Sequence, residues 1–232
     1  MFRKVFHKEA NPPIRKRFKI PLQEIWMGGF WPLLIMLLMA SCQSTEQRGR
    51  AQGPIKNGKA HGTWTEDHFN GVKASQGRYN AGLKSGKWRF WNEEGALQEE
   101  SFWDKDQKHG KSRYYHPDGS LKAAGNYDRG QRQGAWTEWH PNGTQSREAN
   151  YKDGNLDGVA RSWFDSGSLE RIENWKQGEA EVVQFHFNGN PSAKGNWNRR
   201  GDKDGKWVEY DLQGKVTSEA FYRDGLRLAG GG

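Results

Sequence analysis

Residues 131–154 read QRQGAWTEWHPNGTQSREANYKDG, and this stretch decides the fold. The Asn142-Gly143 step predicts a tight hairpin turn, because Asn-Gly tolerates positive φ at both central positions. The aromatic segment before this turn and the alternating segment after it are both typical of strands. The Gly-rich segment Lys152-Asp153-Gly154 predicts a second turn. The stretch therefore predicts one unit: strand, tight turn, strand, second turn.

The same unit recurs along the chain with a regular period. The first five turn glycines are 24 residues apart and the last two steps are 22 and 25, at Gly71, Gly95, Gly119, Gly143, Gly167, Gly189 and Gly214. A second glycine precedes each turn glycine by nine residues, at Gly62, Gly86, Gly110, Gly134, Gly158 and Gly205. The sixth unit has Ala180 there, and its shorter period predicts a loop two residues shorter.

An aromatic residue follows each turn glycine by eight positions, at Tyr79, Trp103, Tyr127, Tyr151, Trp175, Trp197 and Tyr222. Two positions before it, the residue is small in every unit except the fifth, which has Glu173. This pattern predicts that a neighbouring ring lies over the backbone at the small residue. Repeats at a fixed period indicate a repeat architecture. We predict an all-β fold, an elongated antiparallel β-meander of about seven tandem hairpin repeats in a single twisted sheet over residues 56–228, with about fourteen strands.

The repeated pattern resembles a known family. Asn57-Gly58 is followed by Gly62 and Trp64, an arrangement similar to that of the MORN-repeat family in its bacterial variant form. The resemblance implies an elongated sheet of successive hairpins. Repeat arrays of this kind present long surfaces and rarely catalyse reactions.

The first 41 residues are predicted to be an export signal. A basic segment, RKRFK at 15–19, precedes the short apolar run FWPLLIMLLMA at 30–40, which is the order of a signal peptide. The string Met39-Ala40-Ser41-Cys42 resembles a bacterial lipoprotein box, which implies cleavage before Cys42 and its acylation. Gln43 then favours the outer membrane, facing the periplasm, in a Gram-negative cell. An uncleaved signal anchor is the alternative.

After the signal, residues 42–55 are predicted to be a lipidated cysteine and a flexible tether, and residues 229–232 a tail. The net charge of +8 lies mainly in the leader, where residues 1–41 carry +5 and the remainder +3. This balance argues against a nucleic-acid partner. With Cys42 as the single cysteine, neither an internal disulfide nor a cysteine zinc site can form.

The repeats predict no catalytic, metal or cofactor site. Four histidines, His68, His116, His140 and His186, share one position in their units. Equivalent residues of adjacent hairpins lie about 9.6 Å apart, too far for one zinc ion. The acidic pair Glu93-Glu94 fits a solvated turn, and the glycines fit turns rather than a phosphate-binding loop. We therefore predict a non-enzymatic protein.

The best candidate binding surface is a column of aromatic residues, Trp91, Tyr115, Trp139, Trp163, Phe185 and Tyr210. The alternative is that these rings pack the sheet on itself. The first functional hypothesis is a membrane-anchored lipoprotein of the cell envelope that binds or scaffolds a protein partner. A cell-envelope glycan binder that uses the ring column is the second hypothesis. An antitoxin-like protein is the third, and the export signal argues against it.

Overall fold

The computed structural model describes residues 50–229, so the predicted signal, Cys42 and most of the tether lie outside the described residues. Within this range the chain forms nineteen β-strands and no helix. The first ten strands are β1 (Ala51–Gln52), β2 (Ile55–Lys56), β3 (Lys59–Ala60), β4 (Gly62–Asp67), β5 (Lys73–Asn80), β6 (Leu83–Trp91), β7 (Leu97–Asp104), β8 (Gln107–Tyr115), β9 (Leu121–Asp128) and β10 (Gln131–Trp139). The other nine are β11 (Gln145–Lys152), β12 (Asn155–Leu156), β13 (Gly158–Trp163), β14 (Leu169–Lys176), β15 (Glu179–Phe185), β16 (Pro191–Trp197), β17 (Lys203–Tyr210), β18 (Val216–Arg223) and β19 (Leu226–Arg227).

Seventeen of these strands form one antiparallel sheet. From β5 to β17 each long strand pairs with the long strands before and after it in the chain, β4 pairs with β1 and β5, and the sheet does not close on itself. The β2–β3 hairpin is a separate two-stranded sheet. Fourteen strands in the described range have six or more residues. The predicted all-β meander of hairpin repeats is therefore confirmed.

The sheet begins earlier than predicted. Ala51 and Gln52 pair with Glu66 and Thr65 of β4, inside the segment predicted to be tether. The indole nitrogen of Trp64 donates a hydrogen bond to the carbonyl of Pro54 at 3.1 Å. The predicted tether, residues 42–55, is therefore too long at its C-terminal end, because strand β4 and the side chain of Trp64 bind residues that were assigned to it.

The turn that contains the repeated Asn-Gly or Asp-Gly step differs from the prediction. Positive φ occurs at the glycine, 83° at Gly143, but not at Asn142. The amide of Gly143 donates to the carbonyl of His140 at 2.9 Å, and the amide of His140 donates to Thr144 at 2.8 Å. This is a three-residue loop, a type I turn followed by one left-handed glycine. The prediction of two positive φ angles at this turn is wrong, since that geometry belongs to two-residue loops.

The two-residue turn lies instead at the other end of the hairpins, except between β16 and β17. Asp153 and Gly154 have φ angles of 50° and 81°, and Ala81 and Gly82 have 52° and 88°. Lys152 pairs directly with Asn155, which leaves a loop of two residues. Positive φ at both central positions is the signature of a type I′ hairpin. The second predicted turn is therefore the tighter of the two.

The glycine nine residues before each turn forms a bulge. In β10, Gln133 pairs with Asn126 and Thr137 pairs with Ala124, so three residues, starting at Gly134, lie opposite Gly125 alone. Gly134 has a φ of 68°. A bulge interrupts the ladder and bends the strand.

The sixth unit lacks this bulge. The pairing of β14 with β15 runs without a register shift from Arg171 to Lys176. The sixth unit is two residues shorter than the others because strand β15 has no bulge. The prediction of a shorter loop is therefore wrong. The long last period arises because a three-residue loop, closed by Gly201 N to Asn198 O at 2.9 Å, replaces the two-residue turn between β16 and β17.

The bulges seat a column of buried tryptophans, Trp88, Trp136 and Trp207, each at most 1% exposed. A side chain added at Gly77, Gly125 or Gly195 would overlap the indole of the next strand's tryptophan. Each indole N–H donates to a main-chain carbonyl beside its glycine, as Trp136 does to Asn126 at 3.1 Å. The prediction that rings cover the small residues is confirmed at these three glycines, but not at Ser101 or Ala149, where no tryptophan occupies the equivalent position of the following strand.

Where the tryptophan is missing, the glycine is missing too. Ser112 lies opposite Ser101, and Ala149 stands at the glycine position that precedes Ala160. Ala160 in turn lies opposite Glu173 on one side. Val182 lies on the other side of Glu173. Glu173 departs from the small-residue pattern because no indole needs the space above its backbone.

The invariant aromatic column lies on the same face as these tryptophans. Tyr79 meets Trp88 edge to face at 4.9 Å between ring centroids, and Tyr127 meets Trp136 at 5.1 Å. Cations lie over the same rings, with Arg132 at 4.3 Å from the centroid of Trp136. Such contacts stabilise a single layer that has no second sheet to pack against. We call the face that carries Trp88, Trp136 and Trp207 the packing face.

Candidate functional site

The predicted ring column lies on the other face of the sheet, which we call the ring face. Trp88 and Trp91 are three residues apart in β6, and the register shift between Phe90 and Trp91 places its extra residue in β7, so the two rings point to opposite faces. Both faces therefore carry rings, which the sequence alone left open. All six rings of the column are half-buried, at Trp91, Tyr115, Trp139, Trp163, Phe185 and Tyr210.

Each ring of the column has a cross-strand partner just after the three-residue turn. The partners are Leu97, Leu121, Gln145, Leu169, Pro191 and Val216, in the order of the rings. A one-residue register shift accompanies each of these pairs. Directly opposite residues share a face, so the column is an aromatic and mostly apolar strip beside the turns.

Charged side chains border the strip. Lys73 Nζ lies 5.2 Å from the ring centroid of Trp91, and Lys194 Nζ lies 5.8 Å from that of Tyr210. The hydroxyl of Tyr115 donates to Glu100 at 3.4 Å. Partial burial, followed by the nearby Glu100 charge, raises the pKa of Tyr115. The strip therefore offers apolar rings next to charged groups.

The histidine column joins neighbouring units. The Nε2 atoms of His68, His116 and His140 lie 2.8, 2.9 and 2.9 Å from the carbonyls of Trp91, Trp139 and Trp163. His186 makes the equivalent contact to Tyr210 at 2.9 Å. A carbonyl can only accept, so Nε2 carries the proton and donates. Each histidine thus holds the backbone of a ring residue in the following unit.

The turn asparagines make a second link between units. The side-chain amides of Asn70, Asn142 and Asn188 donate to the carbonyls of Glu93, Asp165 and Leu212, each at 2.9 Å. Their side-chain oxygens accept from the amide two residues on, as Asn142 does from Thr144 at 3.0 Å. Sequence reasoning assigned these asparagines to turn geometry alone. Asparagine and histidine both recur at the repeat period, and this recurrence is the sequence feature that could have indicated contacts between units.

A groove of about 510 Å³ lies mainly on the packing face across the second to fourth units, and Tyr115 of the ring column also contributes to its lining. Its floor is Ala123, where neighbouring units carry the longer Glu99 and Arg147. Its rim combines aromatic rings with both signs of charge, from Phe90, Glu99, Tyr114, Lys122, Tyr127, Arg132 and Glu138. Burial, then a hydrogen bond with Tyr127, raises the pKa of Tyr114.

A buried carboxylate lies further along the packing face. Glu173 is 2% exposed, and its oxygens lie 2.6 Å from both Arg147 and Arg171. The indole N–H of Trp175 also donates to it at 2.7 Å. Burial works to raise the pKa of Glu173, but the hydrogen bonds from Arg147 and Trp175 outweigh it and hold the pKa below its ordinary value. This cluster fills the space that a tryptophan occupies in other units.

In the described part of the chain, no three residues among histidine, cysteine, aspartate and glutamate are grouped so that they could hold a metal ion. Residues 50–229 also contain no helix long and apolar enough to cross a bilayer. Cys42, the predicted lipidation site, lies outside the described residues. The described strands offer surfaces for binding: an aromatic strip, a groove lined by rings and charged side chains, and rows of charged residues.

The fold and these surfaces define a class, an open β-repeat protein whose units are linked to their neighbours and present two broad faces. The model of one family, described as MORN repeat variant, matches residues 108–129, 132–153, 156–177 and 203–224. This chain therefore carries tandem repeats of the MORN variant family, as its sequence pattern predicted. The unmatched segment between the last two matches contains the sixth unit, which lacks the bulge glycine.

No curated protein matches the chain. One solved structure, titled "Crystal structure of GtfA/B complex bound to UDP and GlcNAc", aligns with 54% of this chain at 12% sequence identity and a TM-score of 0.25. The aligned part is 24% of that structure's chain. A similarity of this size carries no argument about fold or function.

Proposed function

We propose that this protein is a non-enzymatic, membrane-anchored scaffold of the cell envelope that binds a protein partner through the ring column. MORN repeats suggest a role in binding or scaffolding. The lipoprotein box at Cys42 would supply the anchor, since multiple acyl chains hold a protein stably at a membrane. The repeats would then present their faces in the envelope, at the outer membrane in a Gram-negative cell.

The observation that carries the proposal is the division of the aromatic residues between the faces. Trp88, Trp136 and Trp207 are buried on the packing face and already stabilise the layer. The ring column on the other face is only half-buried, and its rings recur about every 9.6 Å. Aromatic residues with remaining exposure are typical anchors of protein interfaces.

The binding test uses crosslinking in intact cells followed by mass spectrometry. We expect the Trp139→Ala/Trp163→Ala variant to lose its principal crosslinked partner. The matched control is Phe69→Ala/Phe187→Ala, which removes two aromatic residues that are 70% and 73% exposed at turn tips outside the column. Circular dichroism checks that both variants remain folded. Unchanged crosslinks in the column variant would contradict the proposal.

The anchor has a separate test. Palmitate labelling should be lost in Cys42→Ala, and the protein should leave the membrane fraction. Labelling that survives this substitution would show that Cys42 is not the acylated residue, and would bring back the antitoxin-like alternative.

The groove on the packing face favours an envelope glycan as a second candidate ligand. It combines the rings of Phe90 and Tyr114 with the carboxylates of Glu99 and Glu138. Rings can stack on the apolar face of a sugar, and carboxylates accept hydrogen bonds from hydroxyls. Tyr114→Ala should abolish retention on purified peptidoglycan, and the ring-column variant should not. The reverse result would assign glycan binding to the ring column, and retention by both variants would exclude both sites.

A further inference from the structure

The near-balanced charge of the repeats hides an uneven distribution between the two faces. Five exposed cations lie together on the ring face of strands β5, β6 and β8, namely Arg78, Lys87, Arg89, Lys111 and Arg113. We call them the basic patch. A hollow of about 210 Å³ joins Arg78, Lys87 and Arg89. The packing face of the same strands carries Trp88 and Ser112, so alternation along the strands separates the two sets.

The register of the sheet brings these cations around one carboxylate. Glu100 of β7 pairs with Arg89 on one side and with Arg113 on the other. Its oxygen lies 2.7 Å from Lys87 Nζ and 2.6 Å from Arg89 Nε. Burial of Glu100 works to raise its pKa, but the hydrogen bonds from Lys87 and Arg89 lower it. The patch therefore already holds one carboxylate in its charged form.

Three cations of the patch have no such partner among the residues that the structure describes. Within residues 50–229, no carboxylate lies within 4.0 Å of a side-chain nitrogen of Arg78, Lys111 or Arg113. Neighbouring like charges on a sheet face repel each other. An external anion would relieve that repulsion and gain charge-assisted hydrogen bonds.

The patch ends where the fourth unit begins. The positions equivalent to Arg113 and Lys111 hold Thr137 and Ala135. Further along the ring face, Arg161 pairs with Glu148 at 2.7 Å and Lys206 pairs with Glu219 at 2.9 Å. The unbalanced charge is therefore confined to four strands, a width of roughly 15 Å.

From this charge distribution we infer that the basic patch binds a short acidic segment of the protein partner, whose carboxylates lie between Arg78, Lys111 and Arg113 as Glu100 lies between Lys87 and Arg89. The inference rests on the proposed protein-binding function and names the chemistry of its partner. An extended segment of about five residues spans the patch. The adjoining rings of Trp91 and Tyr115 offer apolar contact to the alternate side chains of such a segment. A bilayer or a nucleic-acid duplex extends far beyond the patch and would meet balanced charge.

The test measures binding of a labelled peptide of alternating glutamate and valine to the full chain in detergent. The same peptide with glutamine in place of glutamate is the ligand control. The patch variant is Arg78→Gln/Lys111→Gln/Arg113→Gln. The matched control variant, Arg161→Gln/Lys194→Gln/Lys206→Gln, removes the same charge from the same face outside the patch. We expect about a tenfold weaker Kd for the patch variant and less than about a twofold change for the control.

Three results would overturn the inference: no binding of the glutamate peptide to the unaltered chain, equal losses in the two variants, or tighter binding of duplex DNA than of the peptide. Crosslinking in cells separates this failure from failure of the proposed function. If the ring-column variant loses the partner while the patch variant keeps it, protein binding stands and the acidic segment is excluded.

Discussion

At the scale of single residues, the pairing of glycine with tryptophan explains which repeats have which core. Gly125 has no side chain because the indole of Trp136 lies on its backbone, and the bulge frees the Asn126 carbonyl that the indole N–H reaches. The fourth and fifth units together show the alternative, with Ala149 in the place of Gly125 and Ala160 in the place of Trp136. The two positions therefore change together.

Gly125→Ala should destabilise the protein by about 1–3 kcal/mol, because the added methyl group overlaps Trp136. Trp136→Ala should cost about 3–5 kcal/mol. The double variant should cost little more than Trp136→Ala alone, since the overlap has gone. Urea unfolding of the single and double variants measures the coupling. Additive costs would mean that the indole does not exclude the methyl group.

The buried carboxylate of Glu173 predicts a loss of stability in acid. Its pKa is lower in the folded than in the unfolded protein, so its contribution is present above the unfolded value of about 4.3. The contribution is lost as the pH falls through the lower, folded pKa. Glu173→Gln should cost about 3 kcal/mol at neutral pH, as Arg147 and Arg171 lose their partner. It should also flatten the acid side of the curve of unfolding free energy against pH.

Glu148→Gln is the matched control for this prediction. Glu148 also pairs with an arginine, Arg161, at 2.7 Å, but both side chains are more than 40% exposed. Its loss should cost less than about 1 kcal/mol and leave the acid slope unchanged. Equal slopes for both variants would show that the Glu173 cluster is not the source of the acid sensitivity.

At the scale of the hairpin, the sequence predicted where strands and turns lie, but it misassigned the turn types. Asn142-Gly143 satisfies the composition of a type I′ turn, yet the loop has three residues and only Gly143 has positive φ. Loop length depends on which residues pair across the strands. The bulge at Gly134 adds residues to one strand, so the pairing cannot be deduced from the repeat period. For the same reason the shortened sixth period indicated a loop, although the two residues are missing from β15.

The histidine links between hairpins were also missed, because their partner is a main-chain carbonyl that carries no sequence signature. His140→Ala should cost about 1 kcal/mol, the loss of one hydrogen bond to Trp163. His61→Ala is the control, since its ring has no hydrogen-bond partner within residues 50–229. Thermal unfolding should give a lower Tm for the first variant than for the second. An equal Tm would remove the structural role of the histidine column.

At the scale of the whole sheet, the net charge of the repeats did not reveal the basic patch on the ring face. Residues 42–232 carry only +3, and this value argued against a nucleic-acid partner without revealing any charged surface. Alternation along the strands separates the basic patch from the packing face, and the register then aligns Arg89, Glu100 and Arg113 across three strands. A sum over the chain cannot reveal such a patch, because it depends on bulges that set which residues share a face.

Strand pairing in the sheet is local along its length, and this predicts local responses to mutation. From β5 onward each long strand pairs only with strands close to it in the chain, and the core tryptophans Trp88, Trp136 and Trp207 lie in different units. In such arrays stability is approximately a sum of unit terms and nearest-neighbour terms. Trp136→Ala should therefore speed amide hydrogen exchange in β8–β11 and leave β15–β18 nearly unchanged. Trp207→Ala should give the reverse pattern, because it opens the other end of the sheet. Exchange that rises uniformly over residues 50–229 in both variants would mean that the sheet unfolds as one cooperative body, and the links through the histidines and asparagines would then be the contacts that couple the units.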